Sequence, residues 1–373
     1  MKTWPVVGIA LIQALLVLAH WFVFATWIVF WDPLSPAASH VLRAAFFLVA
    51  FSFVGAALLS FRFFNRSVRA LYKAAVVWLG FLNFFFWAAC LCWLAWFAVR
   101  LAGLNVNEVA TRAWIVGILG AGAFLAGIYG LVNARWIRVR HVPVELPHRP
   151  ESWSGRTGVL LSDVHLGHVN GVRFSRRLAT LAASFDPHII FLPGDLFDGS
   201  EADLDHLLAP FKKLDPPFGI YFTTGNHEEY ETATHYVSAL SRAGVRVLNN
   251  ERVTVDGLHI VGVPYSDSTN PMRVRATLEQ LHPGPGQASI LLNHVPTRLP
   301  IAEQAGIGLQ LSGHTHGGQF FPFTWLTRRV FGPFTHGLNR FGSLQVYTSA
   351  GAGTWGPPMR VGSRPEIVLL QFV

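Results

Sequence analysis

Five short segments of the chain concentrate side chains that bind metal ions and move protons. They are Ser162-Asp163-Val164-His165, Gly194-Asp195-Leu196-Phe197-Asp198, Gly225-Asn226-His227-Glu228, Asn293-His294 and Gly313-His314-Thr315-His316-Gly317. Brought to one place, they supply the carboxylates of Asp163, Asp195 and Asp198, the amide of Asn226 and five imidazoles. A packed core has no use for such a set, because each polar group buried without a partner costs about 2–7 kcal/mol. Carboxylate, amide oxygen and imidazole are together the ligands of divalent metals. The glycines let the backbone turn sharply and come close to an ion.

The elements that must position these residues are readable just upstream of each segment. Apolar runs at 158–161, 188–192, 219–222, 289–292 and 306–311 are short, β-branched or leucine-rich, and end in a turn signal, as strands do. Helical patterns at 174–183, 203–214 and 232–243 lie between several of them. Alternating strands and helices predict an α/β layered domain. In such domains the loops at the carboxyl ends of the strands converge on one crevice. A first strand is expected at 136–144.

The ordered set resembles the signature of the calcineurin-like metallophosphoesterase superfamily: D-x-H, G-D-x-x-D, G-N-H-D/E, a later His, and G-H-x-H. The resemblance covers residues 136–373 with every motif complete. It implies a two-sheet α/β sandwich holding two divalent transition-metal ions, for which this ligand chemistry admits Mn, Fe, Zn or Co. Carried onto this chain, it gives one metal to Asp163, His165, Asp195 and His316. The second goes to Asp195 as bridge, Asn226, His294 and His314. His227 becomes the non-ligand histidine facing the phosphate, oriented by Asp198. In chemical terms, two ions about 3.5–4 Å apart clamp a phosphate and lower the pKa of a bridging water, making a hydroxide nucleophile. An imidazole supplies the leaving oxygen's proton near neutral pH, and Asp198 is expected to fix its tautomer. Glu228 is expected to be a local hydrogen-bonding partner.

Departures narrow the subfamily. Gly199-Ser200 follow Asp198 where Ser/Thr protein phosphatases carry Arg-Gly. His165 and Asp198 stand where purple acid phosphatases have Gly and Tyr. The basic character and coiled-coil arms of the repair nucleases are absent. The Gly317-Gly318-Gln319 continuation and the tail at 349–360 look like membrane-associated bacterial phosphodiesterases, some of which cleave the pyrophosphate of UDP-2,3-diacylglucosamine. Arg360 and Arg364 are then candidates for binding a distal phosphate bidentately. The Phe-rich stretch 320–334, with Arg328 and Arg329 as further substrate-binding candidates, reads either as an acyl-chain lid or as a loop packed on the domain's own core.

Composition adds the setting. Of 373 residues, 51% are apolar and 13% charged, about half the usual charged share, and mean hydropathy is +0.38. That excludes a disordered chain and argues against an ordinary soluble pair of domains. Stretches at 5–30, 44–64, 74–99 and 113–133 are each apolar enough to span a bilayer. Tryptophans such as Trp27, Trp31, Trp93, Trp96 and Trp114 lie toward their ends, as interfacial rings do. The expected organisation is a four-helix transmembrane region at 1–133 and a metallophosphoesterase domain at 134–373. Arg62, Arg66, Arg69 and Lys73 follow the second span, and Arg135, Arg138 and Arg140 follow the fourth. The positive-inside bias therefore predicts an inner-membrane protein with its catalytic domain in the cytoplasm. Eight basic and two acidic residues fall within 1–133, whereas the remainder is close to neutral, so no nucleic-acid partner is expected. Cys90 and Cys92 lie inside the third span and read as small apolar residues. His20 in the first span reads as a packed histidine. The expected function is hydrolysis of a phosphodiester or pyrophosphate, of a lipid-linked substrate. Two readings compete with it: a tethered phosphatase for soluble nucleotides or sugar phosphates, and a sensor or transporter with a regulatory phosphatase domain. The second has little support in spans with almost no charge in their cores.

Overall fold

The computed structural model describes residues 3–31, 35–200, 203–230, 233–281 and 286–373. The chain divides into two compact units: Met1–Val132 with Gly356–Met359, and Asn133–Trp355 with Arg360–Val373.

Five helices run through the first part of the chain: α1 (Thr3–Phe30), α2 (Pro36–Ala50), α3 (Ser52–Arg62), α4 (Arg66–Leu101) and α5 (Glu108–Arg135). They give four candidate membrane spans: Val6–Phe30, Ala37–Arg62, Arg66–Leu101 and Glu108–Arg135. The second begins earlier than hydropathy indicates, because Pro36 opens the helix and the Ser35 hydroxyl accepts from the Ala38 amide. The third also begins earlier, where the Asn65 side chain caps Val68 N–H. Inside a bilayer no water is on hand for indole or imidazole, so these groups need protein partners. Trp78 Nε1 donates to His20 Nε2 at 2.8 Å, and Trp93 Nε1 donates to Thr26 Oγ1 at 2.9 Å. His20 is a packed residue joining α1 to α4. Cys92 is buried and Cys90 half-buried, both as free thiols.

The second unit holds two six-stranded sheets. The first contains β1 (Arg138–Val144), β2 (Thr157–Leu160), β3 (Ile189–Pro193), β4 (Ile220–Thr223), β5 (Val245–Val247) and β12 (Glu366–Phe372), in the order β1-β12-β2-β3-β4-β5. The second contains β6 (Glu251–Val255), β7 (Leu258–Val263), β8 (Ser289–Asn293), β9 (Leu309–Ser312), β10 (Gly337–Phe341) and β11 (Leu344–Thr348), in the order β10-β11-β9-β8-β7-β6. The central strands β2–β5 and β7-β8-β9-β11 pair in parallel. Of these, β3, β4 and β8 are buried along their whole length, which explains their apolar sequences. Between the sheets lie Leu160, Phe191, Ile290, Leu292, Leu309 and Leu311, all buried. Outer helices cover the other faces: Val172–Ala183, Leu204–Leu208 and Thr234–Arg242 on one side, Pro271–Leu281 and Leu299–Gln304 on the other. The result is the expected two-sheet α/β sandwich.

All five expected site-bearing strands form. The expected first strand starts at Arg138. The helix expected at 203–214 is two pieces, Leu204–Leu208 and the turn Phe211–Lys213, because Pro210 interrupts it. The helix expected at 232–243 is Thr234–Arg242; its expected start at Thr232 lies outside the described residues.

Candidate metal centre

β2, β3 and β4 of one sheet and β8 and β9 of the other end in the five motif loops. To aim their side chains inward, several residues take up left-handed backbone: Asp163, His165, Asp195, His314 and His316 have φ between 51° and 69°. Asp and His tolerate this region better than most residues. Each such residue still stores strain that the surrounding fold must hold, and that strain clusters at functional sites. The glycines answer to contact rather than to freedom alone: a Cβ on Gly225 would lie 2.6 Å from Asp195 N.

The side chains gather in two adjoining groups. In the first, His165 Nε2 is 3.0 Å from His316 Nε2, and His316 Nε2 is 3.5 Å from Asp163 Oδ1. In the second, His314 Nδ1 is 3.0 Å from Asn226 Oδ1 and 3.3 Å from His294 Nε2. Asp195 joins them, its Oδ2 lying 3.1 Å from His294 Nε2 and 3.9 Å from His165 Nε2. The other oxygen, Oδ1, accepts the His227 amide at 3.0 Å. Oδ2 is thus the oxygen of Asp195 that faces both groups.

These groups fit metal ions. Asn226 Oδ1, Asp195 Oδ2, His294 Nε2 and His314 Nδ1 converge, and all can present lone pairs to a cation. The His294 tautomer is set from behind, where Nδ1 donates to the Pro193 carbonyl at 2.8 Å, the support that metal-bound imidazoles usually have. Burial pushes His165 down to about 3 and His314 down to about 4, and Asp163 up to about 6. Burial also opposes charge on His294 and Asp195, but their mutual attraction outweighs it: His294 rises to about 10 and Asp195 falls well below the carboxylate range. A divalent ion at this pair would take the place of the imidazole proton.

Glu228 ties the loops together. Its buried carboxylate accepts from Asp195 N at 3.0 Å, Phe197 N at 2.9 Å and Gly225 N at 2.8 Å.

Two expected roles change. Asp198 contacts His227 through its backbone: His227 Nδ1 donates to the Asp198 carbonyl at 3.0 Å. The Asp198 carboxylate accepts instead from His168 N at 2.8 Å and from the Ser200 amide and hydroxyl. Arg360 is not free to meet a phosphate. It is fully buried, and its guanidinium donates to the carbonyls of His316, Gly351 and Gly353. A planar fork of donors suits three loop carbonyls as well as it suits an anion. Arg364 is exposed and, among the described residues, makes no hydrogen bond or ion pair with the motif loops. Arg328 and Arg329 are exposed in the last turn of the helix Phe323–Phe331.

The Phe-rich stretch divides between its two readings. Phe320 is buried, and Phe334 packs against the core. No residue of the helix between them is buried; Trp325 is 59% and Val330 65% exposed. The Phe331 ring centroid lies 6.2 Å from that of His314. Sequence reasoning also missed two tyrosines at the site. Tyr265 stands 6.2 Å from His314, ring to ring, and Tyr230 lies tilted against His227 at 4.6 Å.

Comparison with known proteins agrees with the motif reading. The family model of the calcineurin-like phosphoesterases matches residues 159–318. The chain is 31% identical to a metallophosphoesterase of Aquifex aeolicus, over 66% of this chain and 96% of that one. It is 29% identical to one of Campylobacter jejuni, over 75% and 76%. It is 32% identical to a "transmembrane protein with metallophosphoesterase domain" of Bos taurus, over 74% and 66%. With five loops of matching chemistry meeting at the ends of paired sheets, and the Aquifex aeolicus relative matched over nearly its whole length, this membrane protein belongs to the calcineurin-like metallophosphoesterases and is a metal-dependent phosphoesterase.

Proposed function

We propose that the protein hydrolyses a phosphodiester or pyrophosphate bond of a lipid-linked substrate, of which UDP-2,3-diacylglucosamine is the model, on the cytoplasmic side of an inner membrane. One metal is assigned to Asp163, His165, Asp195 Oδ2 and His316, the other to Asp195 Oδ2, Asn226, His294 and His314. Ions held by these residues would polarise a bound phosphate and make water a nucleophile near neutral pH. His227, held by the Asp198 carbonyl, presents Nε2 to the leaving oxygen and supplies its proton. Glu228 and Arg360 keep the loops in register.

The observation that carries the lipid reading is the helix Phe323–Phe331. It offers Phe323, Trp325, Leu326 and Val330 to solvent, ends in Arg328 and Arg329, and brings Phe331 beside His314. An apolar face flanked by arginines suits the boundary between acyl chains and anionic headgroups.

The test is an assay of the full chain in lipid nanodiscs, loaded in turn with Mn, Fe, Zn or Co. UDP-2,3-diacylglucosamine is compared with bis(p-nitrophenyl) phosphate. The reading expects a kcat/KM at least about tenfold higher on the diacylated substrate, the scale of one well-made apolar contact. Cleavage of the aryl diester alone would return the protein to the tethered soluble-substrate reading.

A further inference from the structure

We propose that Tyr230 is a positioning residue of the reaction, its hydroxyl setting the direction in which His227 presents Nε2. The assignment rests on the role given above to His227.

The hydroxyl sits at the meeting point of the two residues that face the substrate. Asn226 Nδ2 lies 2.9 Å from Tyr230 Oη, and Oη lies 3.3 Å from His227 Nε2. The direction of the first link is fixed, and that of the second follows the protonation of His227. An amide NH2 can only donate, so Asn226 gives its hydrogen to the phenol oxygen. As the acid, His227 carries a hydrogen on Nε2 as well, and the phenol oxygen is placed to accept it; once that proton has gone to the leaving oxygen, the phenol hydrogen can turn to Nε2. On the far side of the ring, Nδ1 donates to the Asp198 carbonyl at 3.0 Å, which accounts for both imidazole nitrogens. With Nδ2 engaged by Tyr230, Asn226 turns Oδ1 toward His314 Nδ1. One hydroxyl thus selects both the outward nitrogen of the histidine and the inward oxygen of the amide.

The ring adds a second constraint. It lies against His227 with centroids 4.6 Å apart and an interplanar angle of 58°, while His165 flanks the other side at 4.6 Å and 81°. His227 is clasped between a buried histidine and a tyrosine that is 59% exposed. The exposure matters: packing does not need a phenol there, and Tyr230 is within reach of a group arriving from solvent. Tyr230 follows His227 by three residues in the turn after β4, so the motif loop carries its own positioning group.

The test compares the full chain with Tyr230→Phe, His227→Ala and the double variant, all loaded with metal. The substrates are a methyl p-nitrophenyl and a methyl phenyl phosphodiester. The phenyl leaving group is the more basic and needs its proton sooner, so it reports on His227. Tyr230→Phe keeps the ring and removes the hydroxyl. The expected result is two metals per chain and a kcat on the phenyl ester lowered about tenfold, the scale of one lost hydrogen bond, with a smaller loss on the nitrophenyl ester. In the His227→Ala background the same change should cost nothing more, because its partner is gone. An equal loss on both esters, loss of metal, or additivity with His227→Ala overturns the assignment to Tyr230 alone. A His227→Ala variant as active as the wild type on the phenyl ester overturns the role of His227, and this assignment with it.

Discussion

Asp195 divides its carboxylate, one oxygen toward the two ligand groups and one on the amide of His227. Asp195→Ala should therefore disturb both metals and the acid together. Metal analysis of the purified variant is expected to give fewer than one ion per chain, with activity lower by orders of magnitude. His227→Ala should retain both ions and lose about 10²–10⁴-fold in kcat; loss of a metal would reassign it as a ligand. Asp198→Asn preserves the backbone carbonyl that His227 uses, so its loss should stay within about tenfold. Glu228→Ala leaves three buried amides without an acceptor. At about 1–3 kcal/mol for each unsatisfied donor, it should lower the melting temperature of the metal-loaded protein and weaken metal binding. A melting temperature equal to the wild type would refute the loop-tying role of Glu228. The convergence of Asp163, His165, Asp195, Asn226, His294, His314 and His316 is legible in the sequence because each follows a short apolar run, and parallel strands gather such loops at one edge. The positions of Arg360 and Tyr230 are not legible in that way. An arginine's preference for carbonyls over phosphate, and a tyrosine's approach to a histidine, are decided by chain segments that only the fold brings near.

Elements were legible where burial is two-sided. The central strands are unbroken apolar runs, and their length and turn signals suffice. The edge strands β6 and β10 alternate exposed and half-buried residues, and β12 is marked by no motif; these pass unnoticed in a single sequence. The helix Phe323–Phe331 is a different case: its composition permits a lid or a core loop, and only its exposure separates them. Replacing Phe323, Trp325 and Val330 together with Ser should lower kcat/KM on a diacylated substrate by at least about tenfold. The short aryl diester should change by no more than about twofold, since about 25 cal/mol per Å2 of apolar contact is lost only where an acyl chain makes it. An equal fall on both substrates would mean that the helix supports the metal loops.

At the scale of the molecule, the proposed orientation rests on the basic loops. Arg100 at the end of the third span pairs with Glu108 at the start of the fourth, which reduces the positive charge at that turn and sharpens its contrast with Arg62, Arg66, Arg69 and Lys73. A Ser154→Cys variant, with Cys90 and Cys92 changed to Ala, should resist an impermeant thiol reagent in intact cells and react after permeabilisation. Labelling of intact cells would place the domain outside. The position of β12 has a consequence for how the enzyme is made. β12 lies between β1 and β2 and is, among the described residues, the only strand paired with β1, although both strands precede it by some two hundred residues. During translation, at about 5–20 residues per second, the helices Thr3–Phe30 to Glu108–Arg135 have left the ribosome while the first sheet still has an open slot and an unpaired edge, a template for wrong pairing. The catalytic domain therefore waits, on a membrane segment already synthesised, for Glu366–Phe372 to emerge.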